Sequence, residues 1–369
     1  MGGDCGCCGQ GGITRRSALT ASLSAVVGGA ILSSSARSSA APGEQSPPAA
    51  LPENALITLG VQAGPPPIAN RFGISSALKL GSDIYVIDCG LGSMNAFANA
   101  GLKFSDLKSM FITHLHTDHM VDYNSFFLSG GSQTKNIGTP VDVYGPGPAM
   151  GLPPSEVGNP NPATVDPGNP TPGLAAATQH LFQAFAYTSN IFIRDLGDAP
   201  ITDLARVTEI AVPPGSDYLN RSPKMDPFPV ISDENVDVTA ILVPHYDVYP
   251  SFAFRFDIKN SGVSVTFSGD TTKSGNVVTL ARDTDILVHE AMFSLDTAYY
   301  HNSFPPNYLP NSHTSPEQVG EVAAAANAKH VILSHYAPPG LPDSAWLDKI
   351  RPNFAGEVTI ARDGQVFPL

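Results

Sequence analysis

Four metal-ligating side chains lie within six positions, between His114 and His119. The preceding apolar residues Met110–Thr113 predict a strand, so these side chains are expected on a loop that leaves its end. His114 and His116, two residues apart, are placed to chelate one divalent ion, while Asp118 and His119 turn toward a second. Imidazole and carboxylate ligands favour zinc, with manganese and iron as alternatives. The segment therefore predicts a site for two divalent metal ions, and a chance cluster of surface histidines explains it less well.

This segment resembles the signature of the metallo-β-lactamase superfamily, and the resemblance extends over residues 55–369. It implies three further ligands: His245 for the first ion, Asp270 as a bridge between both ions, and His335 for the second ion. It also implies that Asp88 ties loops together beneath the site. A single histidine or aspartate after a strand is more often an ordinary residue. The order of the whole set along the chain makes the resemblance specific.

A narrower resemblance, to the ribonuclease Z and arylsulfatase-like branch of this superfamily, rests on two segments, Val288–Phe293 and His313–Gln318. It implies that His313 donates a proton to the leaving group and that Glu290 orients His313, because an expelled alkoxide needs an acid. The structural alternative is that His313 only caps its helix and that Glu290 is a structural partner. His289 is expected to face away from Glu290, toward the core.

The chemistry that this site implies is ester hydrolysis. Two ions bridged by a hydroxide and by Asp270 would supply a nucleophile near neutral pH and neutralise charge on a phosphoryl, sulfuryl or acyl oxygen. Asp118 would hold the bridging hydroxide, so it is a candidate catalytic residue as well as a ligand. Relatives that cleave β-lactams generally lack the bridging aspartate, so antibiotic hydrolysis fits poorly.

Charge separates the candidate substrates. The formal net charge is -13, and an acidic chain repels phosphate backbones and anionic membranes. We therefore predict a small ester (an aryl sulfate, a phosphodiester or a lactone) and do not expect nucleic acid as a partner. The alternatives are a ribonuclease Z-like tRNA 3′-processing endonuclease and a non-catalytic metal-binding module. The segment between positions 136 and 235 offers little positive charge to a nucleic acid, since its basic residues are only Arg194, Arg206, Arg221 and Lys224. Candidates to wall an apolar substrate pocket, with an ordinary core position as the alternative for most of them, are Tyr123, Phe126, Phe127, Phe182, Phe185 and Tyr187.

The N-terminus is typical of an export signal. Arg15 and Arg16 precede a weakly apolar stretch of small residues, Ala18–Leu32, that is too short to span a bilayer comfortably. We predict a twin-arginine-type signal peptide over residues 1–40, a Pro/Ala-rich linker over residues 41–54, and a periplasmic or secreted protein of bacterial source. No membrane span is expected in the mature chain. Cys89 is then left without a cysteine partner, so it is expected to be a buried small residue.

The remaining pattern positions the site. Short apolar runs separated by turn residues predict strands, and helices intervene between them, as over Gln179–Ile193 and from Ser315 onward. Ser315, with Pro316 next and Gln318 three residues on, predicts a capping box. The Pro/Gly-rich residues 146–178 predict an insertion. We predict one α/β (α+β) hydrolase domain over residues 55–369, a four-layer αββα sandwich, and leave a homodimer open.

Overall fold

The computed structural model describes residues 50–132, 139–155, 159, 161–301, 304–305 and 307–369. The chain divides into two compact units, Met1–Pro47 and Pro48–Leu369, and all of the described residues belong to the second. The predicted signal peptide over residues 1–40 and most of the predicted linker over 41–54 lie outside the described residues, so both stay predictions.

The second unit consists of strands, nine α-helices in its described residues, and short irregular helical turns. The strands are β1 (Asn54–Gly60), β2 (Ser75–Leu80), β3 (Asp83–Ile87), β4 (Leu107–Phe111), β5 (Val141–Pro146), β6 (Ala205–Ile210), β7 (Phe228–Ser232), β8 (Val236–Leu242), β9 (Phe252–Ile258), β10 (Ser264–Phe267), β11 (Ile286–Met292), β12 (His330–Ala337), β13 (Glu357–Ile360) and β14 (Gln365–Pro368). The α-helices are α1 (Ser93–Asn99), α2 (Thr117–Met120), α3 (Tyr123–Ser125), α4 (Leu174–Ala184), α5 (Ala186–Leu196), α6 (Gly275–Leu280), α7 (Tyr308–Ser312), α8 (Pro316–Ala325) and α9 (Asp343–Ile350). A π-helix covers Phe126–Ser132, and 3₁₀ turns cover Phe104–Asp106, Ile201–Asp203 and Thr297–Tyr300.

The strands form two seven-stranded mixed sheets. Their orders are β14-β1-β2-β3-β4-β5-β6 and β13-β12-β11-β10-β9-β8-β7. Strands β3 to β6 pair in parallel in the first sheet, and β10 to β13 pair in parallel in the second. Ligand sites in sheets with parallel strands lie beyond the carboxyl ends of those strands. Each sheet therefore provides an edge at which functional side chains can gather.

Alternating side chains of the strands build the layers. Leu56 of β1 lies in one core with Phe254 and Phe256 of β9, so the two sheets pack face to face. Ile57, the next residue of β1, lies in a second core with Phe97 of α1 on the other face of the first sheet. Across the second sheet, α8 packs against β11, and Trp346 of α9 lies 5.3 Å from Tyr336 of β12, ring centroid to centroid. These layers confirm the predicted αββα sandwich.

Several predicted boundaries are wrong. The strand predicted over Met110–Thr113 runs over Leu107–Phe111, because Thr113 leaves the strand ladder and bonds the Asp88 carboxylate. The helix predicted over Gln179–Ile193 is two helices, which break at Phe185. The first of these helices begins at Leu174, whose side chain is fully buried. The insertion predicted over residues 146–178 therefore ends before Leu174. Edge strands β6 and β7 were not predicted, since their side chains are mostly half-buried or exposed.

The predicted capping box is present in the structure. The Ser315 hydroxyl accepts a hydrogen bond from the Gln318 backbone N–H, and the Gln318 side chain accepts one from the Ser315 N–H. Within the described part of the chain, none of the helices combines the length and apolarity that a membrane crossing requires.

Candidate metal centre

The predicted ligands come from four loops or strand ends. The loop after β4 carries His114 and His116, and the short helix α2 carries Asp118 and His119. This loop is held by backbone bonds from the Ile112 N–H to Tyr144 O and from the Phe252 N–H to Thr113 O, which join it to both sheets. The remaining ligands follow β8, follow β10 or lie in β12, and they are His245, Asp270 and His335.

These seven side chains meet in one place. One ligand atom from each of His114, His116 and His245 lies within 4.8 Å of the others, and the same holds for Asp118, His119 and His335. Asp270 lies between these two groups: one of its oxygens is 3.8 Å from His245 Nε2 and 3.5 Å from His119 Nε2. Its other oxygen is 3.3 Å from His335 Nδ1. The structure therefore assembles the predicted ligands as two groups that share Asp270.

The residues fit a pair of divalent ions. Among the described residues, no hydrogen-bond partner reaches the buried atoms His114 Nε2, His119 Nε2, Asp270 Oδ1 and His335 Nδ1. A buried polar atom without a partner costs free energy, so native structures rarely leave several of them together. Imidazole nitrogens and carboxylate oxygens that face one another are the usual ligands of zinc. The polar atoms thus face a common point that a cation would fit.

The electrostatics of the site agree with cation binding. Burial lowers the pKa of His114 well below its ordinary value and the pKa of His245 to about 3, so both imidazoles are neutral, as ligands must be. Burial alone would lower the pKa of His119, but the carboxylates of Asp270, Asp88 and Asp118 outweigh it and raise that pKa well above normal. A group of carboxylates that attracts a proton so strongly also attracts a metal ion.

Asp88 connects the loops beneath the ligands, as the family resemblance implied. Its carboxylate accepts hydrogen bonds from the Thr113 N–H and hydroxyl, each 2.8 Å long. The same carboxylate lies 2.8 Å from His119 Nδ1, which leaves His119 Nε2 facing the cluster. His245 is fixed in a comparable way, with Nδ1 2.8 Å from the backbone oxygen of Ser312. These contacts select the ring nitrogen that each histidine presents.

His313 lies beside the ligands and is paired with Glu290. His313 Nδ1 is 3.4 Å from one Glu290 oxygen, and the other oxygen accepts hydrogen bonds from the N–H groups of Thr271 and Thr314. Burial lowers the pKa of His313, but the nearby Glu290 carboxylate outweighs it, so the pKa is raised. Ser315, not His313, provides the side-chain cap of α8, and His313 caps the end of α7 only through its backbone N–H, so capping leaves the His313 ring without a role.

The other histidines take no part in the cluster. His289 is buried, and its Nδ1 lies 2.8 Å from the backbone oxygen of Glu290. In the part of the chain that the structure describes, none of the groups able to hold a metal includes His180, His289, His301 or His330.

Two contributions to the site were not predicted. Gly64 lies on the Gly/Pro loop after β1, and its N–H donates a hydrogen bond of 3.1 Å to Asp118. The φ of Gly64 is 81°, a value that favours glycine. A cavity next to the ligands has an aromatic wall formed by Tyr300, Phe304 and Tyr308. The aromatic residues predicted to form such a wall lie elsewhere. Tyr123, Phe126, Phe127 and Phe182 are core residues, while Phe185 and Tyr187 are exposed.

Comparison with known proteins agrees with this geometry. Residues 59–133, which contain the His-rich loop, match the family described as anti-Pycsar protein Apyc1. A ribonuclease Z of Mycobacterium avium is 26% identical over 312 residues, which cover 83% of this chain and 95% of that protein. Human tRNase Z, short form, superposes with a TM-score of 0.57 at 21% identity over 85% of this chain and 98% of that one. The metallo-β-lactamase fold protein YhfI of Bacillus subtilis gives a TM-score of 0.57 at 17% identity over the same shares.

The fold is the metallo-β-lactamase fold, and the relatives together with the clustered His and Asp side chains support a metal-dependent hydrolase of that superfamily. Within that superfamily the chain is similar to ribonuclease Z.

The contact between Asp88 and His119 generates the first prediction. We expect Asp88→Asn to weaken metal binding about 10- to 100-fold, because such a partner fixes the orientation and basicity of a ligating imidazole. Isothermal titration of the metal-free protein with Zn²⁺ measures the change. Asp83→Asn is the matched control, since Asp83 lies at the start of β3 and pairs with Lys108. Equal affinities in both variants and the wild type would refute the role of Asp88.

Proposed function

We propose that this protein is a two-metal phosphodiesterase of the ribonuclease Z type. The observation that carries the proposal is the pairing of His313 with Glu290 beside a cluster that holds every predicted ligand. The ribonuclease Z relatives support it, since their similarity extends over 83% of the chain. When bound, two divalent ions would supply an activated water and neutralise negative charge on the phosphoryl group.

The side chains of this protein then have distinct tasks. His114, His116 and His245 would hold one ion, Asp118, His119 and His335 the other, and Asp270 both. His313 would hold a proton on its ring and deliver it to the oxygen of the departing group. Glu290, anchored by two backbone N–H groups, would keep the His313 ring turned toward the site and stabilise its protonated form.

RNA is the first candidate substrate. It is favoured by the ribonuclease Z relatives, which make the tRNA 3′-processing alternative better supported than the small ester expected from charge. The second candidate is a small organic phosphodiester. The aryl sulfate and the lactone, also expected from charge, would lie outside the proposed activity. The acidic composition, with a net charge of -13, favours this second candidate because RNA binding draws on positive charge.

A substrate panel tests the proposal. The zinc-loaded protein is assayed on a precursor tRNA, bis(4-nitrophenyl) phosphate, 4-nitrophenyl sulfate and an aliphatic lactone. We expect hydrolysis of at least one of the two phosphodiesters, and cleavage at the 3′ end of the tRNA moiety would establish the first candidate. Activity on the sulfate or the lactone with none on either phosphodiester would contradict the proposal.

His313→Ala separates an enzyme from a metal-binding module. We expect kcat to fall about 100- to 10,000-fold, the usual contribution of a positioned general acid, with metal content unchanged. His180→Ala is the control, because His180 is exposed on α4. If the wild type, with its full metal content, were as inactive as His313→Ala on every substrate, the chain would be a non-catalytic metal-binding module.

We also propose that residues 1–40 direct export, on the basis of Arg15 and Arg16 before the small-residue stretch Ala18–Leu32. These residues lie outside the described part of the chain. Expression in a bacterium, followed by cell fractionation, is expected to place a shortened chain outside the cytoplasm, and Arg15→Lys together with Arg16→Lys is expected to keep it inside. Recovery of only the uncut chain in the cytoplasm would contradict export.

A further inference from the structure

A cavity of about 480 Å³ opens directly onto the candidate metal centre. Its inner end is formed by His116, Asp118, Asp270, His313 and His335, and the remainder is almost entirely apolar. This apolar part, here named the ring pocket, is lined chiefly by Tyr300, Phe304, Tyr308, Met292 and four prolines. The ring pocket therefore continues the site and does not form a separate depression on the surface.

The aromatic wall of the ring pocket offers both faces and edges of rings. Phe304 and Tyr308 are nearly parallel, at 3° and with ring centroids 5.4 Å apart. Tyr300 stands almost perpendicular to Phe304, at 84° and 6.0 Å. Aromatic rings attract one another in offset-stacked and edge-to-face arrangements. A flat ring that enters the pocket can therefore stack on one member of the wall and meet the edge of another.

Charge in the ring pocket disfavours an ionic group. Among the described residues that line the cavity, there is no lysine or arginine. Pro65, Pro66, Pro338 and Pro339, which also line it, have no backbone N–H to bind an anion. A group that occupies the apolar part is expected to be uncharged.

The position of His313 decides which part of the substrate occupies the pocket. The His313 ring lies 6.2 Å from the Tyr308 ring and 5.2 Å from the ring of the ligand His245, so His313 stands between wall and ligands. In the proposed reaction, the hydroxyl of water joins phosphorus, the bond from phosphorus to the leaving oxygen breaks, and His313 gives that oxygen its proton. A proton of the water then restores His313, so the leaving group departs as a neutral alcohol or phenol beside His313.

We propose that the ring pocket binds the leaving group of the substrate and recognises it as a flat, uncharged ring. This inference rests on the proposed phosphodiesterase function and makes Phe304 and Tyr308 its specificity residues. Such a ring has two sources, the base of the nucleoside released from an RNA or the aryl ring of a small ester. Both sources share the chemistry that the wall recognises. The choice of substrates in the experiment below distinguishes them.

The kinetic test measures, for each substrate, the KM of Phe304→Leu relative to that of the wild type. Differences in reactivity between the leaving groups cancel in this ratio. Three thymidine phosphodiesters are used, whose leaving groups are 4-nitrophenol, a second nucleoside and methanol. For the ring-bearing leaving groups we expect KM to rise about three- to tenfold, the worth of one aromatic stacking contact. The methyl ester is expected to be unaffected. An effect on the nitrophenyl ester alone identifies an aryl ring, and an effect on the dinucleotide alone identifies a base.

A binding measurement keeps the inference independent of turnover. 4-Methylphenol and the anionic 4-hydroxybenzenesulfonate are titrated into the metal-loaded full chain and followed by NMR. The neutral phenol is expected to bind more tightly than the anion, and Phe304→Leu is expected to weaken it about three- to tenfold. Phe185→Leu is the matched control, because Phe185 is 44% exposed at the junction of α4 and α5.

The two measurements separate the two claims. Hydrolysis of phosphodiesters with equal effects of Phe304→Leu on all three leaving groups would overturn the ring pocket and leave the proposed function standing. If none of these three esters, the precursor tRNA and bis(4-nitrophenyl) phosphate is hydrolysed, the proposed function fails. Phenol binding that depends on Phe304 still supports a pocket for a flat, uncharged ring, whereas equal binding of phenol and sulfonate overturns it.

Discussion

The structure depends on a group of polar side chains that are buried together and face one another. His114, His119, Asp270 and His335 each carry a ring nitrogen or a carboxylate oxygen that no described group hydrogen-bonds. Without a cation, these atoms would lose their hydration on folding and gain no compensating bond. Bound divalent ions would supply that compensation and would couple metal binding to the folded arrangement of the loops.

The two sheets hold the backbone around these side chains in the conformation that the arrangement requires. Asp88 and His335 both adopt positive φ, at 57° and 47°, which most residues avoid. Asp88 follows β3 and bonds the loop after β4, while His335 lies in β12 of the other sheet. The ligands thus come from elements far apart in sequence that are held by one shared core. His313 is positioned from this same scaffold, through Glu290 of β11.

The sequence predicted which side chains meet at the site better than it predicted their surroundings. The short spacing from His114 to His119 places these side chains on one loop, where they can reach a common site. His245, Asp270 and His335 followed from their order in a family pattern. In the structure, the neighbouring residues Leu56 and Ile57 of β1 lie in separate cores, so this strand is covered on both faces. The aromatic wall was assigned to the wrong residues, because composition cannot say which of two aromatic clusters a topology brings to the site. Phe126 and Phe127 pack in the core, while Tyr300 ends a 3₁₀ turn and Phe304 lies outside the helices and strands.

Metal content tests the central claim most directly. Elemental analysis of the folded full chain, purified without chelators, is expected to give about two divalent ions per molecule, and Asp270→Asn is expected to reduce that number because Asp270 lies in both halves of the site. Circular dichroism confirms that each sample is folded. A folded wild type that contains no divalent metal, and takes up none when Zn²⁺ or Mn²⁺ is added, would contradict the account.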